Sequence, residues 1–223
     1  MRPIRLDLDP ANVDITGFAS NVTGASWTLT ANNSGDNLAH QVSVRNDAVT
    51  DHSLKTAILT GTDADGKSQT ETINLPAGSA TVESSKYFLT LDSIVPSATI
   101  GGDTMDIGWL DEFCSKTIVL DHYASVAPAA QVAVTGTINF DIEETLENPI
   151  KRTSGDFAEN IDPFTYTDQS DLAWLNDANF TGKTASLINS LAIPGIRAIR
   201  VVANSYTDGA ELQVWITQPY ANR

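Results

Sequence analysis

The stretch LKTAILTGTDADGKSQTETINL, residues 54–75, decides the fold class. Residues 54–60 are rich in strand-forming side chains, and residues 68–75 place a few apolar side chains among polar ones. Between them, the polar cluster at residues 61–67 contains two glycines, a composition typical of a turn. The three pieces together predict a β-hairpin.

Short segments of the same kind flank this hairpin on both sides. They lie at residues 26–30, 40–45, 81–82, 87–95 and 104–109. Turn-forming residues separate them, as in the loop 31–37 and the turn 76–79. About seven strands at regular spacing favour a sandwich or a barrel for this half of the chain.

The second half combines further strands with one long irregular stretch. Strands are predicted at residues 117–120, 131–142, 196–203 and 210–217. The last two are predicted to form a second hairpin, with Leu212, Val214 and Ile216 on one face and Trp215 on the other. Residues 143–181 are acidic and lack sustained alternation, which predicts a long loop.

These patterns predict an all-β protein, an antiparallel and jelly-roll-like β-sandwich of one or two domains with a long aromatic-containing loop. Less than about a tenth of the residues are expected in helices. A boundary near residue 112 gives an N-terminal sandwich-like domain, residues 1–112, and a C-terminal β domain, residues 113–223, which carries the loop 143–181. A single interleaved sandwich is the alternative.

Charge and composition exclude several classes of function. The formal net charge of -15 repels phosphate backbones, so nucleic-acid binding is not expected. No run reaches the roughly 18 apolar residues of a membrane helix, and the N-terminus lacks the apolar region of a secretory signal. We therefore expect folding in a cytoplasm without secretion. The single cysteine, Cys114, is expected to be a small buried hydrophobic residue.

Two short motifs suggest nucleotide or calcium binding, and both fail on spacing. Gly182-Lys183-Thr184 resembles the end of a phosphate-binding loop, but Asp177 stands where that loop needs a glycine. Asp63-Ala-Asp-Gly66 resembles the start of a calcium loop, but Asn74 stands where that loop needs a bidentate glutamate. A hairpin turn is the better interpretation of Asp63 and its neighbours.

No set of residues predicts catalysis, a cofactor or a metal. The histidines, His40, His52 and His122, lie on separate segments without metal-ligand spacing. No Gly-x-Ser-x-Gly nucleophile motif is present. The sequence therefore predicts a protein that is not an enzyme. The tryptophans at positions 27, 109, 174 and 215 fit a sugar-stacking face or anchors in a core, and the core is favoured for most of them.

The hairpin stretch, residues 59–79, resembles the "TGTD-x-x-G-x-x-x-TETI" hairpin of small structural proteins of tailed bacteriophages. Further similar segments lie at residues 84–88, 101–109, 134–143, 181–185 and 196–205. The resemblance covers most of residues 55–218 and implies a structural role in the virion. It implies no catalytic residues.

The sequence leads to three functional hypotheses, of which the first two follow from the resemblance. The first is a capsid decoration or cement protein that stabilises contacts between capsid subunits, with the major capsid protein as partner. The second is a tail or head-to-tail connector component, and the third is a carbohydrate-binding module for host attachment. The expected location is the virion, after assembly in the host cytoplasm. A homo-oligomer is expected, because virion parts assemble symmetrically.

The aromatic side chains of the long loop predict an assembly contact, because such rings anchor protein interfaces. The alternative is that the loop folds back on its own sandwich and buries these rings. The residues assigned to the contact are Lys151, Arg152, Phe157, Phe164, Tyr166, Trp174 and Phe180 of the loop, together with Trp215.

Overall fold

The computed structural model describes residues 3–120, 126–152, 164–166 and 169–218. Within these ranges the chain forms seventeen β-strands and a single 3-10 turn, η1, at Gln169–Asp171, without an α-helix. The strand pairings are antiparallel. The predicted all-β antiparallel fold with little helix is therefore confirmed.

The strands follow one another along the chain with the following bounds. They are β1 (Ile4–Leu8), β2 (Asp14–Val22), β3 (Ala39–Asn46), β4 (Thr56–Thr62), β5 (Ser68–Asn74), β6 (Thr81–Phe88), β7 (Thr90–Pro96), β8 (Met105–Cys114), β9 (Ile118–Val119), β10 (Ala129–Thr135), β11 (Ile138–Thr145), β12 (Ile150–Arg152), β13 (Phe164–Tyr166), β14 (Leu175–Asn176), β15 (Leu187–Ser190), β16 (Ala198–Tyr206) and β17 (Glu211–Thr217).

The strands form three main sheets and one small hairpin. The largest sheet has the order β14-β11-β16-β8-β3-β6, with β2 paired to β8 and β9 paired to β16. The second has the order β1-β17-β10-β15, and the third has the order β5-β4-β7. Strands β12 and β13 pair with each other. The hairpin predicted from residues 54–75 is confirmed as β4 and β5, in register from Thr56 opposite Asn74 to Thr62 opposite Ser68.

The second predicted hairpin is wrong, because its two strands belong to different sheets. Strand β16 pairs with β11, whereas β17 pairs with β10 and β1. The single strand predicted at residues 131–142 likewise divides into β10 and β11. Both connections turn a corner at a glycine with positive φ, Gly136 (φ 73°) and Gly209 (φ 74°), a conformation that glycine adopts readily.

One predicted strand is missing from the first half. Residues 26–30 form irregular backbone, and the N–H of Thr30 donates to the carbonyl of Phe18. Trp27 is only 8% exposed and packs in the core that contains Phe18. Tertiary packing of the tryptophan therefore outweighs the local alternation in this segment.

Strand β8 contributes to two hydrophobic cores, to one through Met105, Ile107 and Trp109 and to the other through Phe113. One is built mainly from the first half of the chain, around Phe18, Leu59 and Trp109. The other is built mainly from the second half, around Phe140 and Leu212. The boundary expected near residue 112 falls inside β8, and the largest sheet contains strands from both sides of it.

Candidate functional site

The turn of the first hairpin is held by the side chain of Asp63. Its Oδ1 accepts hydrogen bonds from the N–H groups of Asp65 (2.9 Å) and Lys67 (2.8 Å). Such bonds from an aspartate to the backbone just after it are the reason that aspartate is common in turns. Its Oδ2 accepts the N–H of Gln169 (3.0 Å), a residue 106 positions further along the chain. Burial raises the pKa of Asp63 above its ordinary value.

Asp65 makes a second set of long-range bonds from the same turn. Its Oδ1 accepts the N–H of Thr117 (2.9 Å), and its Oδ2 accepts the Thr117 hydroxyl (2.5 Å) and the Gln169 side-chain amide (2.9 Å). We call Asp63, Asp65, Thr117 and Gln169 the turn clasp. Donors of the chain bind the carboxylate oxygens of Asp63 and Asp65, which favours the hairpin-turn interpretation of these residues. No group of three or more potential metal ligands occurs among the described residues.

Beside the turn clasp lies a polar cleft of about 290 Å³. Its central group is Arg200, which donates from Nε to Glu143 Oε2 (2.6 Å) and from Nη1 to Gln169 Oε1 (3.0 Å). The guanidinium carbon lies 4.5 Å from the ring centroid of Trp174, and the indole N–H of Trp174 donates to the Gln169 carbonyl (2.9 Å). Burial also raises the pKa of Tyr87, which lines the cleft.

This arrangement orders the chain and offers little chemistry. The charge of Arg200 is matched by Glu143, and one face of the Trp174 ring is covered by the guanidinium. Cys114, close to these groups, is fully buried as expected, and burial raises its pKa to about 12, which disfavours the reactive thiolate.

The structure places two of the predicted contact residues against the same chain. Trp174 is half-buried in the cleft described above. Phe180 has 0% exposure and lies in the core with Phe140 and Leu212. For these two rings the structure shows the fold-back alternative. Trp215 lies on the outer face of β17, as its strand alternation predicts, with the guanidinium of Arg5 5.6 Å from its ring centroid.

Four of the remaining predicted contact residues lie in the hairpin β12–β13. Lys151 and Arg152 are on β12, and Phe164 and Tyr166 are on β13, with Arg152 opposite Phe164. Phe157 lies outside the described residues. The assignment of this group to an assembly contact stays a prediction.

The two described histidines are paired with aspartates rather than grouped around a metal. His40 Nε2 lies 2.8 Å from Asp36 Oδ2, and its Nδ1 lies 2.9 Å from the Glu112 carbonyl. Burial alone would raise the pKa of Asp36, but the hydrogen bond and charge of His40 lower it to about 2. His52 Nε2 lies 2.9 Å from Asp103 Oδ2.

A different feature, which the sequence reasoning missed, is the outer face of the sheet β5-β4-β7. Its side chains alternate between a buried inner face and an open outer face. The charged residues of these strands are Glu71, which binds the N–H groups of Ser85 and Lys86, and Asp92 in a bulge. We call the outer set the neutral face: Thr56, Ile58, Thr60, Thr62, Ser68, Thr70, Thr72, Asn74, Thr90, Ser93 and Val95.

Comparison with known proteins finds no family model, curated protein or solved structure that matches the chain. In the part of the chain that the structure describes, no helix is long and apolar enough to cross a membrane.

Proposed function

We propose that this protein is a non-enzymatic structural component of a tailed-phage virion, and that it acts there as a capsid decoration or cement protein. The observation that carries the proposal is the neutral face, whose eleven side chains are uncharged in a protein of net charge -15, with the exposed Asp92 beside Ser93 in the bulge of β7. The resemblance of residues 59–79 to phage structural proteins supports a phage particle as the assembly.

The neutral face suits contact with a capsid subunit because burial of its eleven uncharged side chains desolvates no ion when Asp92 in the bulge of β7 stays in water. Ile58 and Val95 lie opposite each other on adjacent strands, at 49% and 53% exposure, and form an apolar centre. Hydroxyl groups surround this centre and can bond to a partner. Contacts of this composition match the charge-poor cores of protein interfaces.

The size of the neutral face points to repeated, additive contacts. Three strands of seven residues cover roughly 350 Å², from the usual strand spacing and rise, which is less than half of a standard interface side. A decoration protein bound at many equivalent seams in a symmetric shell gains stability from every copy.

The hairpin β12–β13 is proposed as a second contact, through Lys151, Arg152, Phe164 and Tyr166. A deletion that tests it must end at residue 166, because Gln169 belongs to the turn clasp. The deletion variant is expected to keep the fold of the isolated protein and to bind less well to particles lacking the protein. Unchanged binding to particles would contradict this second contact.

Two other hypotheses from the sequence remain predictions. A tail or head-to-tail connector could use the same neutral face, and a map of the particle separates it from a capsid position. A carbohydrate-binding module would need an open aromatic platform. Trp27 and Trp109 are instead in the core, and Trp174 and Trp215 each lie under an arginine.

Binding to particles that lack the protein tests the proposed function. The single variants Ile58→Asp and Val95→Asp are each expected to weaken binding at least about tenfold, because each buries an unpaired charge at the centre of the contact. Both side chains are exposed, so the melting temperature of the isolated protein should change little.

Val49→Asp is the matched control, because Val49 is 90% exposed and lies in a loop outside the neutral face. The control is expected to bind as the unmodified protein does. Wild-type binding by both face variants would refute the proposed contact, and no binding of the unmodified protein to any part of the particle would refute the virion role.

A further inference from the structure

Glu144 is an acid on the core side of its strand. On β11 its side chain follows those of Phe140 and Ile142 on the face that forms the second-half core. Glu144 is 6% exposed, and no donor among the described residues makes a hydrogen bond to its Oε2. A carboxylate in this position lacks the partners that a buried charge requires.

The carboxyl group that faces Glu144 belongs to Asp177, which is 0% exposed. Asp177 Oδ1 accepts the N–H of Asn179 (2.8 Å), and Oδ2 accepts the N–H of Ala192. The N–H of Asp177 donates to the carbonyl of Ile142 on β11 (2.9 Å). Asp177 thus holds both ends of the segment 177–192 against the core.

The segment 177–192 closes one side of the core. It contains Phe180 and Leu191, at 0% and 1% exposure. It also contains β15, which pairs with β10 at the edge of its sheet. A loss of the contact between Asp177 and β11 would therefore uncover apolar side chains.

The charged side chains of Arg200 and Asp141, which lie near Glu144, bind other partners. Arg200 pairs with Glu143 on the opposite face of β11, and Asp141 accepts bonds from Gly182 and Asn204. Burial first, and then the charge and hydrogen bond of Asp177, raise the pKa of Glu144 to about 7. The titratable groups on the neighbouring elements are Asp141, Glu143, Glu147, Asp177, Lys183, Arg197 and Arg200.

We propose that Glu144 and Asp177 share one proton and form a latch that holds the segment 177–192 on the core only while that proton is present. With the proton bound, Glu144 donates to Asp177, and the pair carries a single charge stabilised by two backbone N–H groups. Without it, two buried carboxylates that face each other repel.

The sign of the pH effect follows from the direction of the pKa change. The ordinary pKa of glutamate is 4.5, and that of Glu144 in the folded protein is about 7. Between these values the folded state binds more protons than the unfolded state. The stabilisation is therefore complete below the lower value, falls as pH rises through this window, and is lost above the upper value.

Melting curves at pH 5 and pH 8 test the latch with Glu144→Gln, whose amide donates to Asp177 at either pH. The melting temperature of each protein is measured at both pH values. Between pH 5 and pH 8, that of the unmodified protein is expected to fall by about 5 °C more than that of Glu144→Gln. Glu211→Gln is the control, because Glu211 is an exposed acid on β17, and it should keep the pH response of the unmodified protein.

Hydrogen exchange at pH 8 locates the effect. The amides of Asn179 and Ala192 are expected to exchange at least about tenfold faster in the unmodified protein than in Glu144→Gln. Equal pH responses of the two proteins, or equal exchange at these amides, would overturn the proposal. A rise in melting temperature with Ca²⁺ at pH 8, seen in the unmodified protein and absent in Glu144→Gln, would also overturn it by showing a cation in place of the proton.

Discussion

Gly108→Ala is expected to lower the free energy of unfolding by at least about 3 kcal/mol, measured by urea denaturation. A Cβ at this position would lie 1.9 Å from the carbonyl oxygen of Asp14 and 2.5 Å from the carbonyl carbon of Ile15. Both are backbone atoms of β2, which pairs with β8. The added methyl group must therefore push β2 away from the largest sheet.

Gly102→Ala is the control for this prediction. Gly102 lies in the turn before β8, and nothing lies within 4 Å of a Cβ built there. Its expected effect is within about 0.5 kcal/mol. If the two variants were equally stable, the close approach of β2 to β8 would be contradicted.

The fold class was predictable because its signals are local. The hairpin β4–β5 joins strands that are close in sequence, and the turn between them contains Asp63 and Gly66, which suit a tight turn. The outward position of Trp215 likewise follows from alternation along one strand. Such features need no knowledge of distant residues.

The turn between β16 and β17, where the chain passes from the largest sheet to the sheet β1-β17-β10-β15, was not predictable in the same way. Strands β16 and β17 look like a hairpin, because a Gly-containing turn separates two alternating segments. Their true partners are β11 and β10, more than 50 residues earlier. Gly136 was the available signal, because it interrupts the alternation of residues 131–142 at the point where the chain turns.

The candidate sites show the same division between local and distant information. The neutral face could have been found from alternation alone, by reading the outward positions of β4 and β5. The latch was visible in part, because Phe140, Ile142 and Glu144 share one strand face. Its partner Asp177 could not be found, because it lies 33 positions further along the chain, after a stretch of irregular sequence.

Asp65→Ala is expected to destabilise the protein by about 3 kcal/mol, because it removes all the bonds that Asp65 makes in the turn clasp. The N–H and hydroxyl of Thr117 lose their acceptor, and the side-chain amide of Gln169 loses one of its two acceptors and keeps the Thr117 hydroxyl oxygen (2.9 Å). Both residues are buried, at 8% and 4% exposure, so these donors cannot turn freely to water. Urea denaturation measures the loss.

A double-mutant cycle shows whether the loss arises in the turn clasp. Gln169→Ala removes the side-chain amide that donates to Asp65. Because both changes remove this same hydrogen bond, the double variant is expected to lose about 1–2 kcal/mol less stability than the sum of the two single variants. Asp92→Ala is the control, because Asp92 is an exposed acid in the bulge of β7 and should have an effect within about 0.5 kcal/mol. Strict additivity of Asp65→Ala and Gln169→Ala would show that the carboxylate of Asp65 and the side chain of Gln169 are not coupled.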